Sequence, residues 1–323
     1  MKYHAPSVFL ACENERPPTN MDLNWLRVLG PIVLSVAAAW SLDFMMAKRG
    51  LLPPYFQLDG AVSPEDRMAR LGRRLLAGGI LTAILWIGVF SPLSTLGQEV
   101  EWDLAGMTAP RLFLLHMLLV VSLVCWYGLG FGGGALRQPT GAMGWPAQLG
   151  FRAPAVGREI GIGLVVGIGA WLLTLGVLLG VALFLWQVVG EEALPKEPPP
   201  VIPWIAALPL WIRLLLSLSA GVVEETFFRG FLQPRVGIAA STVLFVLAHA
   251  SYEQPLMLVG VALLSLIYAF LVKWRQNIWP AIAAHALFDA IQLAIVIPTA
   301  LDFLQDGVGN GLTQVALWVG FGG

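Results

Sequence analysis

The chain has 323 residues, 57% of them hydrophobic and 12% charged, with mean hydropathy +0.75 and net charge −1. Soluble domains carry about 25% charged residues, so an ordinary soluble globular protein is excluded. So is the basic footprint of a nucleic-acid binder, and no nucleic acid is expected as a partner.

The apolar excess comes in runs long enough to cross a bilayer, which takes ~20 residues of helix. The expected fold is all-α: a polytopic transmembrane helical bundle of about eight spans. Open sheets are excluded because lipid offers backbone groups no hydrogen-bond partner. Membrane lipid is therefore an expected partner.

Residues 1–24 read as a polar N-terminal tail. Phe9-Leu10-Ala11-Cys12 only faintly resembles a lipoprotein processing site, because the apolar run before it is short and contains Pro6. Cys12 lies in the tail and Cys125 in an apolar helix, so no bridge is expected. The first span is expected over 25–47, with Asp43 at the interface beside Lys48 and Arg49. A basic loop follows, carrying Lys48, Arg49, Arg67, Arg70, Arg73 and Arg74. The second and third spans read as 75–90 and 112–131. His116, in the third, is expected to hydrogen-bond another helix or sit near the interface. The fourth lies within 160–188, where the spacings Gly163/Gly167 and Gly176/Gly180 permit close helix contact. Residues 25–190 thus form an N-terminal transmembrane half. Residues 191–203, with Pro198-Pro199-Pro200, read as an exposed Pro-rich linker.

The second half, 204–300, reads as the core. Its fifth span runs from Trp204 into a Glu-Glu motif, its sixth covers 236–250, its seventh 256–272 and its eighth 279–297. Residues 301–323 form a C-terminal tail in which 312–321 is too short to span. Lys and Arg concentrate in alternate connections, which places those connections in the cytoplasm and both termini outside.

Three clusters stand out: Glu224-Glu225-Thr226-Phe227-Phe228-Arg229, then Phe245 to His249, then His285 to Asp289. Ionisable groups in apolar segments are functional candidates. Glu224 and Glu225 are neighbours and point about 100° apart on a helix. Glu225 and Arg229 are spaced i,i+4 and can pair on one face. Glu224 is then the freer carboxylate, and a dry pocket can tune such a group into a general base. His249 can orient water, accept a proton or bind metal. His285 and Asp289 are again i,i+4, so the carboxylate could fix the ring. Taken singly, each cluster also fits a structural role: a Glu–Arg network at a helix end, a packing histidine, a helix-end pair.

Together, Glu-Glu-x-x-x-Arg, Phe-x-x-x-His and His-x-x-x-Asp resemble the CPBP family of intramembrane proteases, which includes the type II CAAX prenyl proteases and many bacterial relatives. Phe228-Arg229-Gly230 and Trp279-Pro280-Ala281 agree with that pattern. The resemblance covers 221–289; the first half carries no such signature. It implies a multi-pass protein of the bacterial inner (plasma) membrane that cuts a membrane-associated or lipidated peptide or protein. It also implies that Glu224 and His249 activate a water, that Glu225 and Arg229 hold their helix in place, and that His285 and residue 289 stabilise the oxyanion. The prenyl proteases have Asn where this chain has Asp289. An amide donates to an oxyanion and an ionised carboxylate repels it, so Asp289 is read as protonated, as orienting His285, or as a metal ligand.

No cofactor is required on this reading. Zinc held by Glu224, His249 and His285 is the alternative, since one Glu with two His is a zinc-hydrolase set. A second functional class stays open: a non-catalytic scaffold or immunity-type protein of the same fold. A proton-relay transporter lacks support, because no corresponding pair of interrupted helices appears. Depth raises a difficulty. Along an upright helix from Trp204, Glu224 lies ~30 Å in, close to one face. His285 is then ~9 Å and His249 ~20 Å from that face. The motif is taken over these boundaries.

Overall fold

The computed structural model describes residues 21–49, 63–95, 109–131, 144–190, 201–252 and 254–305. The expected tail before residue 21, most of the Pro-rich linker and the stretch 312–321 lie outside these. Among the described residues there is no strand, and the bundle is helical throughout.

We number the helices α1 (Met21–Lys48), α2 (Pro64–Leu85), α3 (Leu114–Gly128), α4 (Val156–Val189), α5 (Leu210–Glu225), α6 (Ile238–Ala248), α7 (Pro255–Arg275), α8 (Trp279–Ile291) and α9 (Ile297–Gln305). Three π segments interrupt or extend them, at Trp86–Phe90, Thr226–Leu232 and Gln292–Val296. Among the described residues, five helical runs are long and apolar enough to cross a membrane: Trp25–Lys48, Pro64–Ser94, Val156–Val189, Pro255–Arg275 and Trp279–Asp302. The chain is an integral membrane protein.

The structure corrects the expected spans in three places. Helix α2 starts at Pro64, so Arg67, Arg70, Arg73 and Arg74 lie on a helix and not in a loop. Ser63 caps it by accepting from the Asp66 amide, and Glu65 and Asp66 favour the positive end of its dipole. Arg74 donates to Asp43 at 2.6 Å, which ties α2 to α1. The fifth span starts at Leu210 and not Trp204, because Pro209 stands at the N-cap of α5. The short helix Val201–Ala206 instead packs its Ile202 and Ala206 beside Ile297 and Ala300. The sixth span is only the 11 residues of α6. At 1.5 Å per residue that is ~16 Å, about half the hydrocarbon core. α4, with 34 residues, is the longest helix described.

Glycines set how closely α8 is gripped. A Cβ on Gly167 would lie 2.9 Å from the Ala284 carbonyl oxygen, and one on Gly163 would meet the Pro280 carbonyl. On the other side a Cβ on Gly221 of α5 would lie 2.8 Å from the Ile282 carbonyl oxygen and 2.9 Å from the Ala286 Cβ. Backbone therefore rests on backbone, and α8 is held between α4 and α5. The second expected spacing behaves differently: nothing lies within 4 Å of a Cβ at Gly176 or Gly180. At the end of α7, buried Glu159 of α4 accepts two bonds from Arg275, at 2.6 and 2.8 Å. Fork-to-fork pairing of this kind fixes direction as well as distance.

If this packing governs stability, Gly167→Leu destabilises the fold by about 1–3 kcal/mol through overpacking. Gly176→Leu, facing open space, stays within about 0.5 kcal/mol. Thermal unfolding of the two variants in detergent checks this; equal midpoints would refute the packing assignment.

Candidate active site

The site forms where α5, α6 and α8 converge, with α3 and α7 behind them. Helix α5 does not stop at Glu225. It continues through the π segment Thr226–Leu232 and the turn Gln233–Val236, all before Gly237. The π turns end next to Pro234, whose missing N–H would in any case leave a carbonyl unbonded one turn back. Gly237, at φ +88°, then reverses the chain into α6. Glu224 lies thirteen residues before that glycine and His249 twelve after it. The hairpin thus brings Glu224 and His249 to the same level. This removes the depth conflict between Glu224 and His249, which came from starting the fifth span too early and turning the chain too soon.

Glu225 is the centre of the sealed part of the site. Its Oε2 lies 3.2 Å from the Nε of Arg229, and its Oε1 accepts from His285 Nδ1 at 2.9 Å. The Glu225 and Arg229 side chains are 0% and 1% exposed. Arg229 also donates to the Ser265 carbonyl at 3.2 Å and lies 4.4 Å over the Phe245 ring. A guanidinium against an aromatic face in a dry setting is a favourable contact. One side chain therefore ties the π segment to α6 and α7. Gln233 adds a bond to the Ala269 carbonyl at 3.0 Å.

The remaining candidates are less completely buried. Glu224, His249 and Asp289 side chains are 17%, 15% and 13% exposed. His249 sits at the C-cap of α6, where its Nδ1 donates to the Phe245 carbonyl at 2.8 Å. A carbonyl has no proton to give, so Nδ1 carries the hydrogen. His249 Nε2 then lies 3.8 Å from Glu224 Oε2, too far for a direct hydrogen bond. His285 lies next to Tyr268, rings stacked with centroids 5.2 Å apart. Its Nε2 is 3.5 Å from Asp289 Oδ2. Phe245 touches both histidine rings, at 4.5 Å from His249 and 6.3 Å from His285.

All six residues singled out in the sequence thus meet in one place. One neighbour was not foreseen in this role. His116 of α3 is buried, with Nδ1 2.8 Å from the Ser219 hydroxyl and Nε2 3.5 Å from Glu224 Oε1. The sequence leaves His116 either bonding another helix or sitting near the interface, and gives no sign that its partner would be α5. A lone histidine in an apolar helix, over a hundred residues from its partner, has no spacing signal.

The zinc alternative requires Glu224, His249 and His285 to converge on one ion. Both nitrogens of His285 face other carboxylates, and the two Glu224 oxygens face His116 and His249. Among the described residues no group of three His, Cys, Asp or Glu side chains is placed to hold a metal. Metalloprotease chemistry therefore gains no support from these positions.

Comparisons with known proteins fall on the same segment. Residues 206–291 match the family described as type II CAAX prenyl endopeptidase Rce1-like. That range contains the six motif residues, so the family resemblance of this segment is shown; α1 to α4 lie outside it. The "Uncharacterized protein YpbD" of Bacillus subtilis (strain 168) is 28% identical over 79 residues, covering 24% of this chain and 42% of that protein. The match therefore spans less than half the relative's length. No solved structure matches the chain.

Removing one partner of a sealed ion pair strands the other. Arg229→Ala is expected to cost about 3–5 kcal/mol, read as a large drop in unfolding temperature in detergent. Arg67→Ala, at an exposed arginine of α2, serves as the control and leaves that temperature close to wild type. An Arg229→Ala protein as stable as the control would show that the pair carries no such weight.

Proposed function

We propose that this protein is an intramembrane endopeptidase of glutamate type that hydrolyses a peptide bond of a membrane-associated or lipidated substrate. The observation that carries this reading is the relation between Glu224 and His249. Glu224 Oε2 and His249 Nε2 lie 3.8 Å apart; with Nδ1 donating to the Phe245 carbonyl, a neutral His249 leaves Nε2 as an acceptor, like the carboxylate oxygen. Two acceptors at that separation are bridged by a group with two hydrogens to give, and water is such a group. The water oxygen, its hydrogens held on Glu224 and His249, keeps its lone pairs for a peptide carbonyl. Glu224 takes the proton as the water attacks, which is general-base catalysis.

His285 and Asp289 are assigned to the other side of the reacting carbonyl. Glu225 fixes the Nδ1–H of His285, so a proton delivered to that ring goes to Nε2, the side near Asp289. From there it can serve the oxyanion or the leaving amine. Glu225 at 2.9 Å already orients the ring, which leaves Asp289 free of that task. Its position at 3.5 Å suits a group that acts with the ring on the substrate. The family name supports a protease in general; the substrate class, the glutamate mechanism and the bacterial inner membrane with its basic connections in the cytoplasm are our assignment. Lipid and a membrane-associated peptide or protein are the partners it requires.

The main test compares membrane proteomes of cells carrying wild type and Glu224→Gln, together with cleavage of an internally quenched farnesylated CAAX peptide by the purified proteins. Glu224→Gln removes the base at nearly constant volume, so a loss of about 10²–10⁴-fold is expected. Wild-type rates in that variant would defeat the base assignment. For Asp289→Asn the expected outcome is activity kept or raised. A fall of a hundredfold or more, approaching the ~10⁴ lost when a hydrolase's orienting aspartate is changed, would make Asp289 the group that orients His285.

A further inference from the structure

Resting on the reaction proposed above, we infer that His116 is a positioning residue: its Nε2–H holds Glu224 Oε1, so that Oε2 faces the water shared with His249. The role comes from α3, outside the segment that matches the family. It makes the N-terminal helices part of the machinery and not merely a membrane anchor.

The hydrogen-bond chemistry fixes the direction. The ionised carboxylate of Glu224 only accepts, so the contact at 3.5 Å is productive when Nε2 of His116 carries the hydrogen. Ser219 can donate to the bare Nδ1, at 2.8 Å. Ser219 lies on α5, five residues before Glu224, so one helix supplies both the carboxylate and the group that sets the ring's tautomer. His249 approaches the other oxygen in the opposite sense. Its Nδ1 donates to the Phe245 carbonyl, and in the neutral ring Nε2 then offers a lone pair. One oxygen of Glu224 therefore meets a donor, and the other meets an acceptor.

Burial sharpens the distinction. Oε2 of Glu224 is buried and has no hydrogen-bond partner among the described residues, whereas Oε1 is the atom His116 approaches. A carboxylate held at neither oxygen turns about its last bond, a broad and shallow torsion. Held at one, it presents the other in a fixed direction. The contact is long for a hydrogen bond, as catalytic contacts often are before substrate binds. Catalysis by orientation is sensitive to such placement: a displacement of about 1 Å can cost ~10²-fold.

The test uses the full chain in nanodiscs and the farnesylated CAAX peptide. His116→Leu is expected to lower kcat by about 10–100-fold, with KM within about twofold and the unfolding temperature near wild type. His116→Gln places an amide N–H at the same distance along the side chain and is expected to recover most of the loss. Wild-type kcat in His116→Leu, or equal losses in the two variants, overturns the proposal. A second readout needs no substrate. In ¹⁵N-histidine spectra of the wild type, His116 is expected to carry hydrogen on Nε2 and none on Nδ1, and Ser219→Ala is expected to mix the tautomers. A bare Nε2 in the wild type also overturns the proposal. Wild-type cleavage by Glu224→Gln defeats the reaction itself, whereas loss in Glu224→Gln with none in His116→Leu defeats only the role of His116.

Discussion

A carboxylate with no access to water, Glu225, decides how the bundle can pack around the site. Its charge is balanced by Arg229 and its second oxygen accepts from His285. An unpaired ion at such a depth is costly, so three helical segments must meet at one point. The glycine contacts at 163, 167 and 221 let α8 come close enough to bring His285 there. Phe245 and Ser265 then receive the rest of Arg229. Once this sealed layer is in place, the outer residues Glu224, His249 and Asp289 have few alternative positions.

Separating a sealed layer from an open one gives each carboxylate of the Glu-Glu pair its own environment. Glu225 is locked by ion pairing and sealed from solvent. Glu224, one residue earlier and turned away, has one oxygen near His116 and the other near His249. On the proposed reading, adjacent glutamates on a helix divide structure and chemistry between them. The π segment contributes by carrying the helix past Glu225 as far as Gly237, which sets the level at which α6 returns.

Much of the site was legible because it follows helical spacing. Glu225 with Arg229 and His285 with Asp289 are one turn apart, so sequence alone put them on common faces. Gly163 and Gly167 were legible for the same reason. Their counterparts Gly176 and Gly180 show the limit of that logic, since spacing says which residues share a face and not what lies opposite. The bidentate Glu159–Arg275 pair and the approach of His116 to Glu224 join residues more than a hundred positions apart. Such contacts depend on tertiary packing and leave no periodic trace. Span boundaries failed where punctuation was underweighted: Pro209 marks the true start of α5, and Gly237 marks the turn.

The difference in length between α4 and α6 has a consequence for the surrounding lipid. Thirty-four residues make ~51 Å of helix and eleven make ~16 Å, against a hydrocarbon core of ~30 Å. No single bilayer thickness matches both. The long helix is accommodated by tilt or by extending beyond the core, and the short one by local thinning of the membrane, each at a fraction of a kcal/mol per Å. His249 stands at the end of the short helix. Where the bilayer thins to meet α6, it does so beside the candidate site, and the acyl-chain length of the host membrane then acts as a mechanical load on the hairpin that carries Glu224 and His249.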